Sequence, residues 1–136
     1  MIEIKNISKK FGKLEVLKNV SVSCNSGQCI ALIGPNGCGK TTLIKSILGM
    51  VIPDSGSMEF NQKSIFGDYL YREKIGYMPQ IGRYPDTMTI GEIIEMVKKI
   101  RNSKDNLDED LFRDFEIEKM LNKQMRTLSG GTTQKI

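Results

Sequence analysis

Cys29-Ile-Ala-Leu-Ile-Gly-Pro-Asn-Gly-Cys-Gly-Lys-Thr-Thr42 decides how this chain folds. Cys29 to Ile33 run apolar without a break, the pattern of a strand buried on both faces. Gly34 to Gly39 interrupt it, and then Leu43, Ile44, Ile47 and Leu48 recur at helical spacing until Gly49 and Pro53 stop the helix. The order is buried strand, glycine loop, helix. Gly34 to Thr41 fit GxxxxGK[ST] at every defined position, in the context that the motif requires. Glycines let the backbone turn its N–H groups inward around phosphate oxygens, and the positive end of the following helix adds to the field. Lys40 is placed to reach the β and γ phosphates as a point charge, the Thr41 hydroxyl to hold Mg²⁺, and Thr42 to donate to the α phosphate. Pro35, Asn36, Gly37 and Cys38 supply the backbone between, and the Cys38 thiol occupies a variable position of the loop.

Upstream of this segment, residues 2–7 alternate Ile2 and Ile4, with Ile7 out of phase, and residues 16–24 set Val16, Val20 and Val22 among polar neighbours. Both predict half-buried antiparallel strands, the second closed by Asn25-Ser26-Gly27. Downstream, Met58 to Phe60 and Ile75 to Met78 are further short strand candidates. From about residue 86 the period becomes helical. Thr89-Ile-Gly-Glu92 is a capping-box pattern, with Met88 and Ile93 placed as its hydrophobic staple. Ile93, Ile94 and Val97 continue an apolar face toward Ile100, which predicts core packing. Arg101 to Asn106 reads as a polar linker, Leu107 to Phe115 as a second, acidic amphipathic helix, and Leu128-Ser-Gly-Gly131 as a break ahead of a final helix start.

Composition bounds the chemistry. The 136 residues are 39% apolar and 26% charged, the balance of one globular domain. The longest apolar runs, Cys29 to Ile33 and Ile47 to Ile52, fall far short of the roughly 18 residues of a membrane span. The first ten residues carry Glu3 and Lys5 where a signal peptide needs an apolar stretch, which predicts a cytosolic chain. Three cysteines without a repeated spacing make neither a disulfide framework nor a zinc site. There is no histidine, so Ser-His-Asp, Cys-His and HExxH chemistry are excluded. The net charge of +4 suits a phosphate ligand without a basic tail that would call for nucleic acid.

A phosphate loop, then Tyr77-Met-Pro-Gln80, a helical insertion and Leu128-Ser-Gly-Gly131, in that order and over the whole chain, resemble the ATP-binding cassette (ABC) ATPases, the nucleotide-binding subunits of ABC transporters. The resemblance implies an α/β fold: a RecA-like P-loop NTPase core, an N-terminal antiparallel β subdomain and an α-helical subdomain. Residues 1–27 would form the antiparallel sheet, Cys29–Ile33 a parallel α/β core with its P-loop helix, and residues from about 86 the helical part. The implied division is 1–85 and 86–136. The cofactors implied are ATP and Mg²⁺. Phe11 matches the aromatic that stacks on adenine, usually Tyr in the family; from the residues alone a core Phe is the alternative. Gln80 matches the glutamine that touches Mg²⁺ and links the ATP site to the membrane subunit. Ser129, Gly130 and Gly131 match the signature that binds the γ-phosphate held on a second nucleotide-binding subunit, in a head-to-tail dimer. Thr132 stands where the family usually has glutamine.

The family's next elements are an apolar run ending in Asp-Glu, a D-loop and a switch histidine, and none is found here. Asp108-Glu109 follows Asp105-Asn-Leu107 and reads as a helix-start charge cluster. The sequence therefore resembles the N-terminal part of a longer cassette, incomplete at its C-terminus, that binds ATP but does not hydrolyse it, because phosphoryl transfer needs water positioned and charge neutralised. A transporter subunit lying at the inner face of the membrane on a transmembrane permease is the reading that the compact span from Gly39 to Leu128 favours. The alternatives are a soluble ABC ATPase of DNA repair or translation, which usually carries large insertions there, and an unrelated P-loop kinase or GTPase, which leaves the Ser-Gly-Gly turn unexplained. The stretch from Tyr84 to Glu92 resembles exporter-type cassettes and those of multidrug or copper-processing systems.

Overall fold

A computed structural model describes residues 1–79, 84–101 and 110–133. The chain divides into two compact units, Met1–Gly76 and Tyr77–Ile136. The first is built on a four-stranded antiparallel sheet in the order β2-β1-β3-β4, with β1 at Ile2–Phe11, β2 at Leu14–Cys24, β3 at Ser55–Phe60 and β4 at Lys63–Ser64. Ile4 pairs with Val22 on one side and Met58 on the other, and Ile7 pairs with Val20.

The phase slip at Ile7 has a physical cause. Asn6 and Asn19 both adopt positive φ, near 54° and 48°, where the β1–β2 register shifts, so an extra residue lets Ile4 and Ile7 face the same side. Two serine hydroxyls satisfy the displaced backbone: Asn6 N–H donates to Ser21 Oγ at 2.9 Å and Asn19 N–H to Ser8 Oγ at 3.0 Å. Ile4, Ile7 and Met58 are fully buried, with Leu17, Leu43, Ile65 and Tyr71 completing the core. Leu43 comes from helix α1, Lys40–Ile47, which packs on the sheet. Tyr71, in the 3-10 turn Leu70–Lys74, donates its hydroxyl to Ile47 O at 2.8 Å and so fastens the C-terminal end of α1.

Two expected strands are absent. Cys29–Ile33 carries no regular secondary structure and lies at the surface, with Ile33 91% exposed. A doubly buried strand needs hydrogen-bonded neighbours along its edges and layers packed over its faces, and the sheet of the described residues offers this segment no neighbour. Ile75–Met78 likewise forms no strand; Tyr77 and Met78 are exposed.

In the second unit, helix α2 spans Ile90–Arg101, the short helix α3 Asp110–Asp114 and α4 Gly130–Thr133. The capping box forms in full: Glu92 Oε2 accepts from Thr89 N at 2.8 Å and Thr89 Oγ1 from Glu92 N at 3.2 Å. Ile90 N–H and Gly91 N–H donate to Lys123 O and Leu121 O, so the returning chain satisfies amides that a helix start leaves open. Ile90, Ile93, Ile117 and Met125 form the core, with Met88 and Ile94 packed against it. The apolar face stops there. Val97 and Ile100 are exposed, contrary to the core packing that the spacing predicts; among the described residues, the backbone bonds from the returning chain meet only the start of α2. Of the predicted helix Leu107 to Phe115, residues 107–109 lie outside the described residues, and α3 accounts for the rest up to Asp114.

Candidate nucleotide site

The loop Gly34–Gly39 ends in a conformation that only glycine adopts at no cost. Gly39, the N-cap of α1, has φ 96°, and a Cβ there would meet Val16 O at 2.7 Å and Leu17 Cδ2 at 2.9 Å. The loop is thereby seated on β2. Gly34 is held closely as well, since a Cβ would lie 2.8 Å from Cys38 Sγ. Pro35 to Cys38 form a turn in which Cys38 N–H donates to Pro35 O at 3.4 Å, and Gly37 has φ 83° with open space where a side chain would project. Leu43 N–H donates to Gly39 O at 2.8 Å and opens the helix. The amides of Lys40, Thr41 and Thr42 precede that bond, as at any helix start, and are the donors an anion would use.

Lys40 turns back over this loop. Its ammonium donates to Gly34 O at 2.7 Å and Pro35 O at 2.8 Å, and lies 3.7 Å from Cys38 Sγ. A cation is thus held against the first residues of the loop. Thr41 is exposed in the first turn of α1, whereas Thr42 is half-buried and its carbonyl accepts from Ser46 Oγ at 2.8 Å.

Phe11 ends β1 opposite Leu14, at the tip of the hairpin whose second strand carries Val16 and Leu17 beneath Gly39. It is 49% exposed, which removes the core reading of this residue. One face is covered by a charge that sequence reasoning missed: Lys9 Nζ lies 5.5 Å from the ring centroid. Lys9 is in turn held by Asp54, whose Oδ1 accepts from Lys9 Nζ and whose Oδ2 accepts from Lys10 N, both at 2.7 Å. These two contacts, the side-chain bond first, lower the Asp54 carboxyl below its ordinary pKa of 3.8. Lys9 and Phe11 two apart on one strand were the available signal; Asp54, far along the chain, had none.

In the second unit, Ser129 caps α4: its Oγ accepts from Thr132 N at 3.3 Å and lies 2.9 Å from Thr132 Oγ1, while Ser129 O accepts from Thr133 N at 2.9 Å. Gly130 and Gly131 are exposed in its first turn. Thr132, through its backbone N–H and its hydroxyl, thus engages Ser129 itself. Gln80, Asp108 and Glu109 lie outside the described residues. No group of three or more His, Cys, Asp or Glu able to hold a metal occurs among the described residues.

Comparison with known proteins gives a consistent result. A family model described as ABC transporter matches residues 17–136. The sulfate/thiosulfate import ATP-binding protein CysA of Pectobacterium atrosepticum is 33% identical over 99% of this chain, and that of Pseudomonas syringae pv. tomato 29% identical over the same share. The chain spans 43% and 44% of their lengths. Both are named for import, unlike the exporter cassettes that Tyr84 to Glu92 resemble. Among solved structures, an ATP-binding subunit of an ABC transporter superposes with a TM-score of 0.85 at 28% identity, over 98% of this chain and 58% of that one. A putative ABC transporter ATP-binding protein from Pyrococcus furiosus gives 0.79 at 26%, over 98% and 66%. The fold is that of the P-loop ABC ATPases, with an antiparallel N-terminal β subdomain. No helix among the described residues is long and apolar enough to cross a membrane.

Proposed function

The chain belongs to the ABC transporter family, and on that premise we propose that it binds MgATP at Gly34–Thr42 and serves a transport ATPase as its nucleotide-binding part. The observation that supports this reading is the seating of the loop: Gly39 packs on Val16 and Leu17 of the hairpin whose first strand ends in Phe11, and at the start of α1 the Lys40 ammonium folds back onto Gly34 O and Pro35 O. The amides from Asn36 to Thr41 and the Lys40 charge take the phosphates, Thr42 adds a donor, and adenine stacks on Phe11. Thr41 and Gln80 would hold Mg²⁺, which would supply neutralisation of phosphate charge.

Ser129, Gly130 and Gly131 serve the γ-phosphate on a second nucleotide-binding subunit, and a membrane permease is the further partner. The functional division follows residues 1–85 and 86–136. ATP hydrolysis coupled to transport belongs to the whole protein. The present residues lack an Asp-Glu pair after an apolar run, so we expect binding without turnover. Steady phosphate release at saturating ATP, abolished by Lys40→Ala, would overturn that part. Sulfate or thiosulfate, named for the CysA relatives, is the first cargo to test in the whole protein. Calorimetry with MgATP tests the site. Lys40→Ala should lose a charge-assisted contact worth about 1.5–3 kcal/mol, and equal affinity in the variant excludes the role given to Lys40.

A further inference from the structure

We propose that Lys9 and Asp54 are positioning residues for the base platform at Phe11, fixing which ring face receives a purine and how firmly the ring is held. This rests on the reading of Phe11 as that platform. Lys9 and Phe11 project from the same side of β1, two residues apart, with the ammonium 5.5 Å from the ring centroid. A cation at that range is attracted by the negative face of the ring and occupies it, leaving the opposite face for a flat ligand.

A lysine on a strand end would ordinarily sample many rotamers, and three contacts at Asp54 remove that freedom. Asp54 N–H donates to Ser8 O at 2.9 Å, Oδ1 takes the Lys9 ammonium and Oδ2 takes Lys10 N–H. Both carboxylate oxygens are therefore used. The Lys9 side chain is only 17% exposed although its charge ends at the surface. Asp54 lies in the segment that joins α1 to β3, so the connection running out of the phosphate-loop helix also secures the ring. The ring, its cation and its carboxylate form one connected cluster at the end of β1.

The test compares MgATP with magnesium tripolyphosphate, which keeps the phosphates and lacks the base, by calorimetry on the full chain. Lys9→Gln and Asp54→Asn should each weaken MgATP about two- to fivefold, the range of an exposed cation–π contact, and leave tripolyphosphate unchanged. The double variant should be no weaker than either single one, and Lys9→Arg, which keeps a cation over the ring, should retain wild-type preference for ATP. If Phe11→Ala weakens MgATP while Lys9→Gln and Asp54→Asn do not, the platform stands and the positioning role is overturned. If Phe11→Ala changes neither ligand, the platform itself is wrong. Equal loss for both ligands in Asp54→Asn would mean a purely structural role and also overturns the proposal; Lys9→Gln, which keeps most of the buried stem and removes the charge, reads the same contact should Asp54→Asn fold poorly.

Discussion

Two apolar stretches of the first unit meet opposite fates. Ile2 to Ile7 in β1 sits between β2 and β3, and Ile4 and Ile7 are sealed from water; Cys29 to Ile33, at least as apolar, is left at the surface with Ile33 almost fully exposed. Intrinsic preference does not separate them. What differs is who stands beside them: β1 has a partner on each edge and α1 above it, whereas no described strand borders Cys29–Ile33. An apolar run states what a segment requires, and its neighbours decide whether the requirement is met.

The sharpest way to break this comparison is to remove volume from the sealed stretch. Ile7→Ala should cost about 2–5 kcal/mol, as large-to-small changes at fully buried sites do, measured by urea unfolding; a cost below 1 kcal/mol would mean the β1 core is looser than its burial says. Gly39→Ala comes next, because its positive φ and the closeness of Val16 O leave no room for a Cβ. A loss of about 1–3 kcal/mol is expected, with nucleotide binding reduced alongside, and an unchanged melting temperature would show that the loop is not seated on β2.

A smaller effect should follow from acid. The lowered pKa of Asp54 means that the folded state favours its ionised form, so its contribution is fully present above 3.8 and is lost as pH falls below that value through the lowered one. The melting-temperature difference between wild type and Asp54→Asn should therefore shrink as the pH drops below 3.8, and a difference constant down to pH 2 would remove the ion pair from the account. The smallest change in stability belongs to Ile33→Lys, below about 0.5 kcal/mol at so exposed a position. Its readout is light scattering against concentration: an exposed apolar segment favours self-association, so the variant should scatter less than wild type. Equal scattering would show that the exposed run is inert.

Legibility in the sequence followed the range of the interactions. The phosphate loop, the capping box at Thr89 and the helix after Gly39 are local, and each stands where its residues indicate. Ile7 reads out of phase because β1 carries an extra residue at Asn6, and the compensating shift at Asn19 on β2 shares no pattern with it until the strands pair. Val97 and Ile100 carry the same periodicity as Ile93, yet only the returning chain determines how far along α2 burial extends. The exposed Phe11 could not be told from a core one, since exposure belongs to the hairpin tip and not to the residue. Asp54 was invisible because its partners lie some forty residues earlier.

The posture of Lys40 sets the thermodynamics of whatever enters its loop. Because the ammonium already donates to Gly34 O and Pro35 O, an arriving phosphate does not recruit an idle charge but competes with two carbonyls for an occupied one. The heat released is then a difference between two sets of strong bonds, smaller than the phosphate contacts alone would give. The same contacts make the lysine an internal strut. Removing it relaxes the turn before any ligand arrives, so Lys40→Ala should alter amide exchange at residues 34–38 in the ligand-free chain, a signature that loss of a purely ligand-facing charge would not produce.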